Sequence, residues 1–362
     1  MKVAVGMSGG VDSSVAAWLL KEQGNEVVGL CMALWDGAAD AAPTGKHACY
    51  GPDEAEDIQD AAAVCEALGI PFHVFDCAKE YKKTVLAYFR AEYAAGRTPN
   101  PCVKCNHLMK FGFLPAMARR SGLEFDRFAT GHYARVRRDA DRWSLLKGAN
   151  PKKDQSYFLH RLSQEQLAQC LFPLGELATK EEVRRVAADL KLPTAAKRES
   201  QDFYCGDYAD LLGLPPKDGS IVDKDGKELG THQGVWNFTP GQRKGIGLAA
   251  TEPLYVLGCD AHSNTVTVGK KADALSAAFT ASNLNWIAFD YLRAQRRLTV
   301  KTRSSHPGAW ALVEPLESGD VNVTCDDPQL AVAPGQSAVF YDGDVVAGGG
   351  VIDRVHPNWS VP

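Results

Sequence analysis

Two groups of residues in this 362-residue chain have the types and spacing to do chemistry. The first is Ser8-Gly9-Gly10-Val11-Asp12-Ser13, a glycine- and serine-rich run near the amino terminus. The second is a set of thiols, the Cys-x-x-Cys pair Cys102 and Cys105 together with the more distant Cys205. Glycines let a backbone approach an anion closely, and thiols carry redox, metal or sulfur chemistry. The sequence therefore predicts a phosphate-binding loop and a thiol site.

The loop is predicted to lie between a strand and a helix. Lys2 to Gly6 is β-rich, and apolar residues follow at helical spacing through Val15 and Leu20. The first amides of a helix lack partners within it and point at a bound anion. The run lacks the lysine of the Gly-x-x-x-x-Gly-Lys-Ser/Thr loop. It resembles the loop of the pyrophosphate-loop family, whose members split ATP between the α and β phosphates. This resemblance implies ATP with Mg²⁺ as cofactor and a catalytic Asp12.

The composition of the chain indicates which chemistry the thiols can carry. The chain has ten cysteines, no signal-like amino terminus and no apolar run of ~20 residues, so we expect a cytoplasmic protein without a membrane segment. In a reducing compartment, paired cysteines indicate redox, metal or sulfur chemistry rather than structural disulfides. Zinc needs four ligands, and the chain has no second Cys-x-x-Cys. We expect five isolated cysteines to be small buried hydrophobes: Cys31, Cys65, Cys170, Cys259 and Cys325.

Six ordered motifs extend across almost the whole chain. They are Met7 to Ser14, Asn100-Pro101-Cys102-Val103-Lys104-Cys105-Asn106, Thr130 to Arg135, Lys153 to Leu159, Thr239 to Leu248 and Phe340 to Asp344. The series resembles the bacterial tRNA-specific 2-thiouridylases, which replace the 2-oxygen of the wobble uridine by sulfur. The resemblance implies tRNA as a partner. It also implies a sulfur donor, either a persulfide relay or a cysteine desulfurase.

The resemblance also implies a role for each matching position. ATP would be held by Gly6, Met7, Ser8, Gly9, Gly10, Val11, Asp12, Ser13, Met32 and Gly131. The tRNA would be contacted by Asn100, Pro101, Cys102, Lys153, Asp154, Gln155 and Arg303, the first three lining a target base flipped out of its stack. Cys105 occupies the nucleophile position, and Cys205 would receive the persulfide sulfur.

Two schemes of sulfur transfer remain open. In the first, Cys205 carries the persulfide and Cys105 resolves it, leaving a Cys105–Cys205 disulfide for a reductant. This scheme needs a thiolate, for which we expect Lys104 and the helix amino terminus near Asn106 to supply positive charge. In the second, Cys102, Cys105 and Cys205 hold a [4Fe–4S] cluster with one open iron.

The chain departs from the family pattern at three places. Cys102 stands where many members have Asp, Ser200 is followed by four residues before Cys205 instead of three, and Arg303 is followed by Ser304 instead of Tyr. Two rival functions also remain. One is a pyrophosphate-loop ligase acting on a small molecule, and the other is an ATP-sensing RNA-binding module. A basic run from Arg293 to Arg303, in a chain of net charge −4, favours a local phosphate-binding face.

The elements that position these residues follow from periodicity. The first ~130 residues alternate short β-rich runs with helical ones, which predicts an α/β fold with a doubly wound, Rossmann-like parallel sheet. Its ligand should lie where the strand order reverses. A helical segment over 164–192 follows, and short β segments from Gly219 onward predict a C-terminal all-β barrel. The predicted domains are 1–200 catalytic with a helical tRNA-binding insertion, 201–275 central and β-rich, and 276–362 β-barrel.

Overall fold

The computed structural model describes residues 1–37, 48–197 and 202–356. The described residues fall into two compact units. The first comprises Met1–Leu86, Pro101–Leu211 and Asp344–Val346, and the second comprises Ala87–Asn100, Leu212–Gly343 and Ala347 onward. The predicted three-part domain division stays a prediction.

Strands and helices occur throughout both units. The strands are β1 (Lys2–Gly6), β2 (Glu26–Ala33), β3 (Ala48–Tyr50), β4 (Phe72–Asp76), β5 (Arg127–Thr130), β6 (Ala134–Asp139), β7 (Arg142–Lys147), β8 (Cys170–Leu171), β9 (Asp202–Tyr204), β10 (Gly219–Asp223), β11 (Glu228–His232), β12 (Tyr255–Asp260), β13 (Thr265–Gly269), β14 (Leu275–Trp286), β15 (Arg296–Lys301), β16 (Ala309–Pro315), β17 (Val321–Leu330), β18 (Ser337–Asp342) and β19 (Val345–His356). The α-helices are α1 (Val11–Glu22), α2 (Glu54–Leu68), α3 (Ala78–Tyr81), α4 (Ala87–Ala94), α5 (Pro101–Lys104), α6 (Leu114–Arg120), α7 (Gln164–Gln169), α8 (Lys180–Asp189) and α9 (Tyr208–Leu212). Lys82–Leu86 and Cys105–Phe113 are π-helical, and Ser156–Leu159 and Val235–Asn237 are 3₁₀ turns.

The first unit is built on a five-stranded parallel sheet in the order β4-β2-β1-β5-β8. Val3 and Val5 of the central strand pack with α1, α2 and α8 in one apolar core. On another side of the unit, Phe128 of β5 meets Phe111 edge to face, with ring centroids 5.6 Å apart. The predicted α/β fold with a parallel sheet is confirmed.

Two features of this unit differ from the predicted elements. The segment predicted to be helical over 164–192 contains two helices, α7 and α8, because Pro173 and Gly175 interrupt it. Between them, β8 joins the sheet beside β5. The antiparallel hairpin of β6 and β7 was also not predicted, and residues Asp344–Val346 lie beside it, with Val345 opposite Leu146.

The second unit is rich in antiparallel β structure. Four strands form a sheet in the order β11-β10-β13-β12 around a small core that includes Ile221, Val256 and Val266. Six more follow the order β14-β17-β16-β15-β18-β19, and β14 also pairs with β19, which closes the barrel. Its interior is apolar and includes Phe279, Val300 and Phe340. The predicted C-terminal barrel is confirmed.

Candidate active site

The loop predicted to bind phosphate lies at the point where the sheet reverses its strand order. The chain moves from β1 outward through β2 to β4, then returns to β5 on the other side of β1. Gly6 at the end of β1 is in register with Thr130 at the end of β5. The loop Met7–Gly10 and Gly131 therefore leave neighbouring strands at the same edge. Met32, near the end of β2, reaches that edge as well, which brings the predicted ATP residues together.

Close backbone packing explains two glycines of this site. Gly9 has φ +67°, and a β-carbon there would lie 2.2 Å from the carbonyl oxygen of Asp57 in α2. A β-carbon at Gly131 would lie 2.7 Å from the backbone nitrogen of Ser13. Any side chain at either position would push the loop away from its neighbours. Both glycines thus let the start of α1 lie against α2 and the end of β5.

Serine hydroxyls fix the shape of the loop. Ser13 Oγ accepts from the Ser8 amide at 3.2 Å and donates to the Gly10 carbonyl at 3.0 Å. Ser14 Oγ donates to the same carbonyl at 2.9 Å and lies 2.9 Å from Thr194 Oγ1. Helix α1 begins at Val11, directly after the loop, with no side-chain cap at Gly10. Its first amides are therefore held in place to receive an anion.

Asp12 is held by two residues from other parts of the unit. The Tyr133 hydroxyl donates to Asp12 Oδ1 at 2.8 Å, and the Lys180 ammonium donates to the same oxygen. Lys180 is 7% exposed, and its Nζ lies 5.7 Å from the centroid of the Tyr133 ring. Lys180 thus places a buried cation beside a loop that has no lysine of its own. Neither partner was singled out from the sequence.

The cysteine pair lies in one helical segment. Helix α5 begins at Pro101, where a proline costs nothing because the first amides are unpaired. Cys102 and Cys105 are half-buried and three residues apart, so they share a helix face. From Cys105 the helix widens into the π-helical turns Cys105–Phe113. Gln166 of α7 donates to the carbonyls of His107 at 2.9 Å and Phe111 at 3.1 Å, which stabilises the widened turns.

Burial disfavours the thiolate form of both Cys102 and Cys105. Burial raises the pKa of Cys105 from 9.0 to about 11, and burial raises the pKa of Cys102 further. The cation that opposes this effect on the pKa of Cys105 is Lys110. A π-helix bonds residue i to residue i+5, so Lys110 lies nearer to Cys105 around the helix axis than it would in an α-helix. The expectation that Lys104 and a helix amino terminus near Asn106 generate the thiolate is wrong, since the helix begins at Pro101 and burial dominates.

Cys205 belongs to the first unit and directly follows a strand of a small parallel sheet. Strands β3 and β9 pair with Ala48 opposite Asp202 and Tyr50 opposite Tyr204. Cys205 follows β9 directly and is 4% exposed. The rings of Tyr50 and Tyr81 stack against each other, with centroids 5.2 Å apart. The residues 198–201 that precede β9, including the Ser200 of the predicted motif, lie outside the described residues.

The predicted tRNA residues divide between the two units. In the first unit, Asp154 Oδ1 accepts from the amides of Gly148 at 3.1 Å and Ser156 at 3.0 Å, and Gln155 Oε1 accepts from Tyr133 N at 2.9 Å. Both side chains therefore hold their own loop in shape. The neighbouring Lys153 is half-buried.

Asn100 and Arg303 belong to the second unit. The Asn100 amide donates to the Tyr88 hydroxyl at 3.1 Å, and the Thr98 amide donates to the Pro334 carbonyl at 2.8 Å. These bonds fix the segment that leads to Pro101. Arg303 is exposed and donates to the Leu330 carbonyl at 3.2 Å.

Most of the basic run of the second unit pairs with aromatic rings or acids. The Arg293 guanidinium lies 5.0 Å from the Tyr291 ring, and that of Arg297 lies 5.6 Å from the Trp310 ring. Arg297 also pairs with Asp326. Tyr291 is 59% exposed and Trp310 is 52% exposed. Exposed rings beside guanidinium groups suit a nucleic acid, whose bases stack and whose phosphates are anionic.

No group of three or more His, Cys, Asp or Glu side chains among the residues described is arranged to hold a metal ion. The set Cys102, Cys105 and Cys205 therefore does not form a ligand group in this arrangement. Of the five cysteines expected to be buried hydrophobes, Cys31, Cys65, Cys170 and Cys325 are buried, whereas Cys259 is half-buried. No helix within the described ranges is long and apolar enough to cross a membrane.

Comparison with protein families gives three consecutive matches. Residues 1–205 match the tRNA methyl transferase HUP domain, residues 212–270 match the tRNA methyl transferase PRC-barrel domain, and residues 276–352 match the Aminomethyltransferase beta-barrel domain.

Curated relatives match over nearly their whole length. The tRNA-specific 2-thiouridylase MnmA of Endomicrobium trichonymphae is 48% identical over 357 residues, covering 97% of this chain and 99% of that protein. The tRNA-specific 2-thiouridylase MnmA 2 of Thermoanaerobacter sp. strain X514 is 45% identical over 363 residues, 98% of each chain. The tRNA-specific 2-thiouridylase MnmA of Stenotrophomonas maltophilia strain K279a is 47% identical over 365 residues, covering 97% of this chain and 93% of that protein.

Proposed function

The chain belongs to the tRNA-specific 2-thiouridylase family, and we propose on that premise that it uses ATP to replace the 2-oxygen of a tRNA wobble uridine by sulfur. The observation that supports the proposal is the presence, in one unit, of the glycine- and serine-rich loop at the strand switch point and of a cysteine pair in a helical segment. The first feature suits activation of an oxygen, and the second suits delivery of sulfur.

Adenylation is assigned to the loop and the residues around Asp12. The amides at the start of α1 would bind phosphate oxygens, aided by the helix dipole. ATP would enter as its magnesium complex. Lys180 adds a positive charge next to Asp12, where the departing pyrophosphate would otherwise meet only neutral donors. The Tyr133 hydroxyl keeps the Asp12 carboxylate oriented. These residues would make AMP the leaving group at the uridine carbon.

Sulfur transfer is assigned to Cys205 and Cys105. Cys205 would carry a persulfide, whose outer sulfur attacks the activated carbon and expels AMP. The Cys105 thiolate would then attack the inner sulfur of the persulfide. The carbon–sulfur bond to the base remains, a Cys105–Cys205 disulfide forms, and an external dithiol must reduce it before another turnover. Lys110 lowers the pKa of Cys105 and so favours the attacking thiolate.

Binding of tRNA is assigned to positions in both units. Cys102 and Pro101, in the first turn of α5, would line the flipped base, and Asn100 precedes them. Lys153 and Arg303 would contact the phosphate backbone. The exposed Tyr291 lies beside Arg293 in the basic run of the second unit. A local surface of this kind binds tRNA even though the chain as a whole carries −4.

A [4Fe–4S] cluster on Cys102, Cys105 and Cys205 is the alternative carrier of sulfur. It has less support, because these cysteines do not form a metal-ligand group among the described residues. Anaerobic assays for iron and acid-labile sulfide on the purified protein separate the two carriers. A metal-free protein that still thiolates tRNA excludes the cluster, and activity that depends on loaded iron excludes the persulfide scheme.

The test of function is mass spectrometry of wobble nucleosides after incubation of the protein with ATP, a sulfur source and bulk tRNA. We expect ATP-dependent 2-thiouridine. Cys105→Ala should abolish it while tRNA binding stays close to that of the parent, and Cys259→Ala serves as a matched control outside the site. Thiolation by the Cys105 variant would contradict the sulfur-transfer role. Pyrophosphate exchange that responds to a small amino acid and ignores tRNA would favour a small-molecule ligase.

A further inference from the structure

A fourth thiol lies beside the cysteines assigned to sulfur transfer. Cys49 is the central residue of β3 and is exposed, whereas its neighbours Ala48 and Tyr50 are buried. Nothing in its sequence context marks it, because it stands alone between an alanine and a tyrosine. The pairing of β3 with β9 brings it to the strand that leads into Cys205.

The register of these two strands puts Cys49 next to Phe203, and Gly51 and Cys205 directly follow the paired segments. Gly51 is two residues after Cys49, so roughly 7 Å of extended chain separates the two positions. The Cys205 sulfur lies 2.6 Å from the point where a β-carbon at position 51 would be. The sulfur of Cys205 therefore occupies the space that a side chain at position 51 would take. Any larger residue at 51 would displace it.

Cys49 also interacts electrostatically with Cys102 and Cys105. Negative charge on Cys49 raises the pKa of both Cys102 and Cys105, and the Lys110 cation lowers the pKa of Cys49 itself. The buried phenol of Tyr81 has its pKa raised by burial and then by Cys105 and Cys49. Interactions of this kind require short separations, because surface charges are screened beyond about 10 Å. Cys49 thus interacts electrostatically with both Cys102 and Cys105.

Cys49 and Cys205 differ in their exposure to solvent. Solvent reaches Cys49, although neighbouring atoms exclude enough water to raise its pKa. Cys205, at 4% exposed, offers little surface to an external donor. In thiol–disulfide exchange and in the related persulfide transfer, the attacking thiolate must be able to reach the sulfur that is transferred. Direct loading of Cys205 by a bulky donor would therefore be slow.

We propose that Cys49 is the entry thiol of the site, which takes sulfur from an external persulfide and passes it to Cys205. The inference rests on the proposed function. In the first step the Cys49 thiolate attacks the outer sulfur of the donor R–S–SH, which gives Cys49–S–SH and R–S⁻. In the second step the Cys205 thiolate attacks the outer sulfur on Cys49, which gives Cys205–S–SH and the Cys49 thiolate. Each step breaks one S–S bond and forms one, and the proton of the attacking thiol passes to the leaving thiolate. No oxidant or reductant is consumed.

The test follows the persulfide by mass spectrometry in the full-length protein without tRNA. Parent protein, Cys49→Ser, Cys205→Ser and the control Cys259→Ser are each exposed to limiting glutathione persulfide, quenched and digested. We expect the persulfide on Cys205 in the parent and the control, on Cys49 in Cys205→Ser, and at least about tenfold less on Cys205 in Cys49→Ser. Loading of Cys205 at the parental rate in Cys49→Ser would overturn the proposal.

A second measurement separates this inference from the function on which it rests. Thiolation of tRNA by Cys49→Ser should fall about tenfold with glutathione persulfide, while tRNA-dependent release of pyrophosphate from ATP stays at the parental level. Full thiolation by Cys49→Ser refutes the entry role and leaves the proposed function intact. Failure of the parent protein to thiolate tRNA refutes the proposed function. In that case the first experiment still tests whether Cys205 is loaded through Cys49, because it needs no tRNA. A thermal unfolding curve of Cys49→Ser that matches the parent shows that the variant is folded. If the curve differs, Cys49→Ala is used in its place.

Discussion

The protonation of Cys105 can be tested without tRNA or ATP. Its pKa of about 11, set by burial, lies two units above the ordinary value of 9.0. At pH 8 about one molecule in a thousand carries the thiolate, compared with about one in ten for an ordinary thiol, because each unit changes the ratio tenfold. Since the thiolate is the reactive form, alkylation of Cys105 should be about a hundredfold slower than that of an ordinary cysteine.

The assay is iodoacetamide labelling of the Cys105 peptide, quantified by mass spectrometry between pH 7 and pH 10. The logarithm of the rate should rise by about one per pH unit without reaching a plateau. Lys110→Met should slow labelling further at every pH, on the order of tenfold, because the cation that lowers the pKa of Cys105 is gone. Lys104→Met is the matched control on the same helix. A plateau below pH 9, or an equal effect of the two lysine variants, would refute the assignment of burial and Lys110.

Three further predictions concern the glycines of the loop, the π-helical turns and Lys180. Gly9→Ala should destabilise the fold by roughly 2–5 kcal/mol in urea unfolding, because its φ is +67° and its β-carbon would meet Asp57 backbone at 2.2 Å. Gly10→Ala, whose β-carbon meets only a serine hydroxyl at 3.5 Å, should cost less than about 1 kcal/mol, and equal losses would contradict this packing. Gln166→Ala should lower stability by about 1–3 kcal/mol by freeing two carbonyls of the π-helical turns, and a thermal melt no lower than that of Gln169→Ala would oppose this role. Lys180→Met should slow tRNA-dependent pyrophosphate release by at least about tenfold with the exposed Lys191→Met as control, and an unchanged rate would exclude a role for the cation at Asp12.

Local sequence pattern predicts the loop well because its determinants are local. A strand, two glycines, serines and a helix follow one another within about twenty residues, and periodicity defines each piece. The reversal of strand order, which brings Gly131 to the loop, follows from the general rule for open parallel sheets.

The partners of these residues could not be predicted in the same way. Lys180 reaches Asp12 from 168 positions along the chain, and it stands in a charged run typical of a solvated helix. Lys110 lies nearer to Cys105 around the helix axis than an α-helix would allow, because the helix widens to π geometry with i→i+5 bonds. On an α-helical wheel Lys110 would point away from Cys105, and Lys104 would be the nearer cation. Cys49 has no motif at all, and only the pairing of β3 with β9 shows its place.

The two halves of the proposed reaction require opposite electrostatic surroundings, and the first unit provides both. Pyrophosphate departs from a site where unpaired helix amides and the Lys180 cation concentrate positive charge. The thiols instead lie where burial keeps them neutral, and only Lys110 offsets part of that effect on Cys105. A neutral thiol reacts slowly with oxidants, so the cysteines are protected while no substrate is bound. Sulfur must arrive already in the sulfane state, because sulfide cannot become the outer sulfur of a persulfide without a two-electron oxidant. This requirement favours delivery by a persulfide, and an exposed thiol such as Cys49 is the position at which delivery can begin.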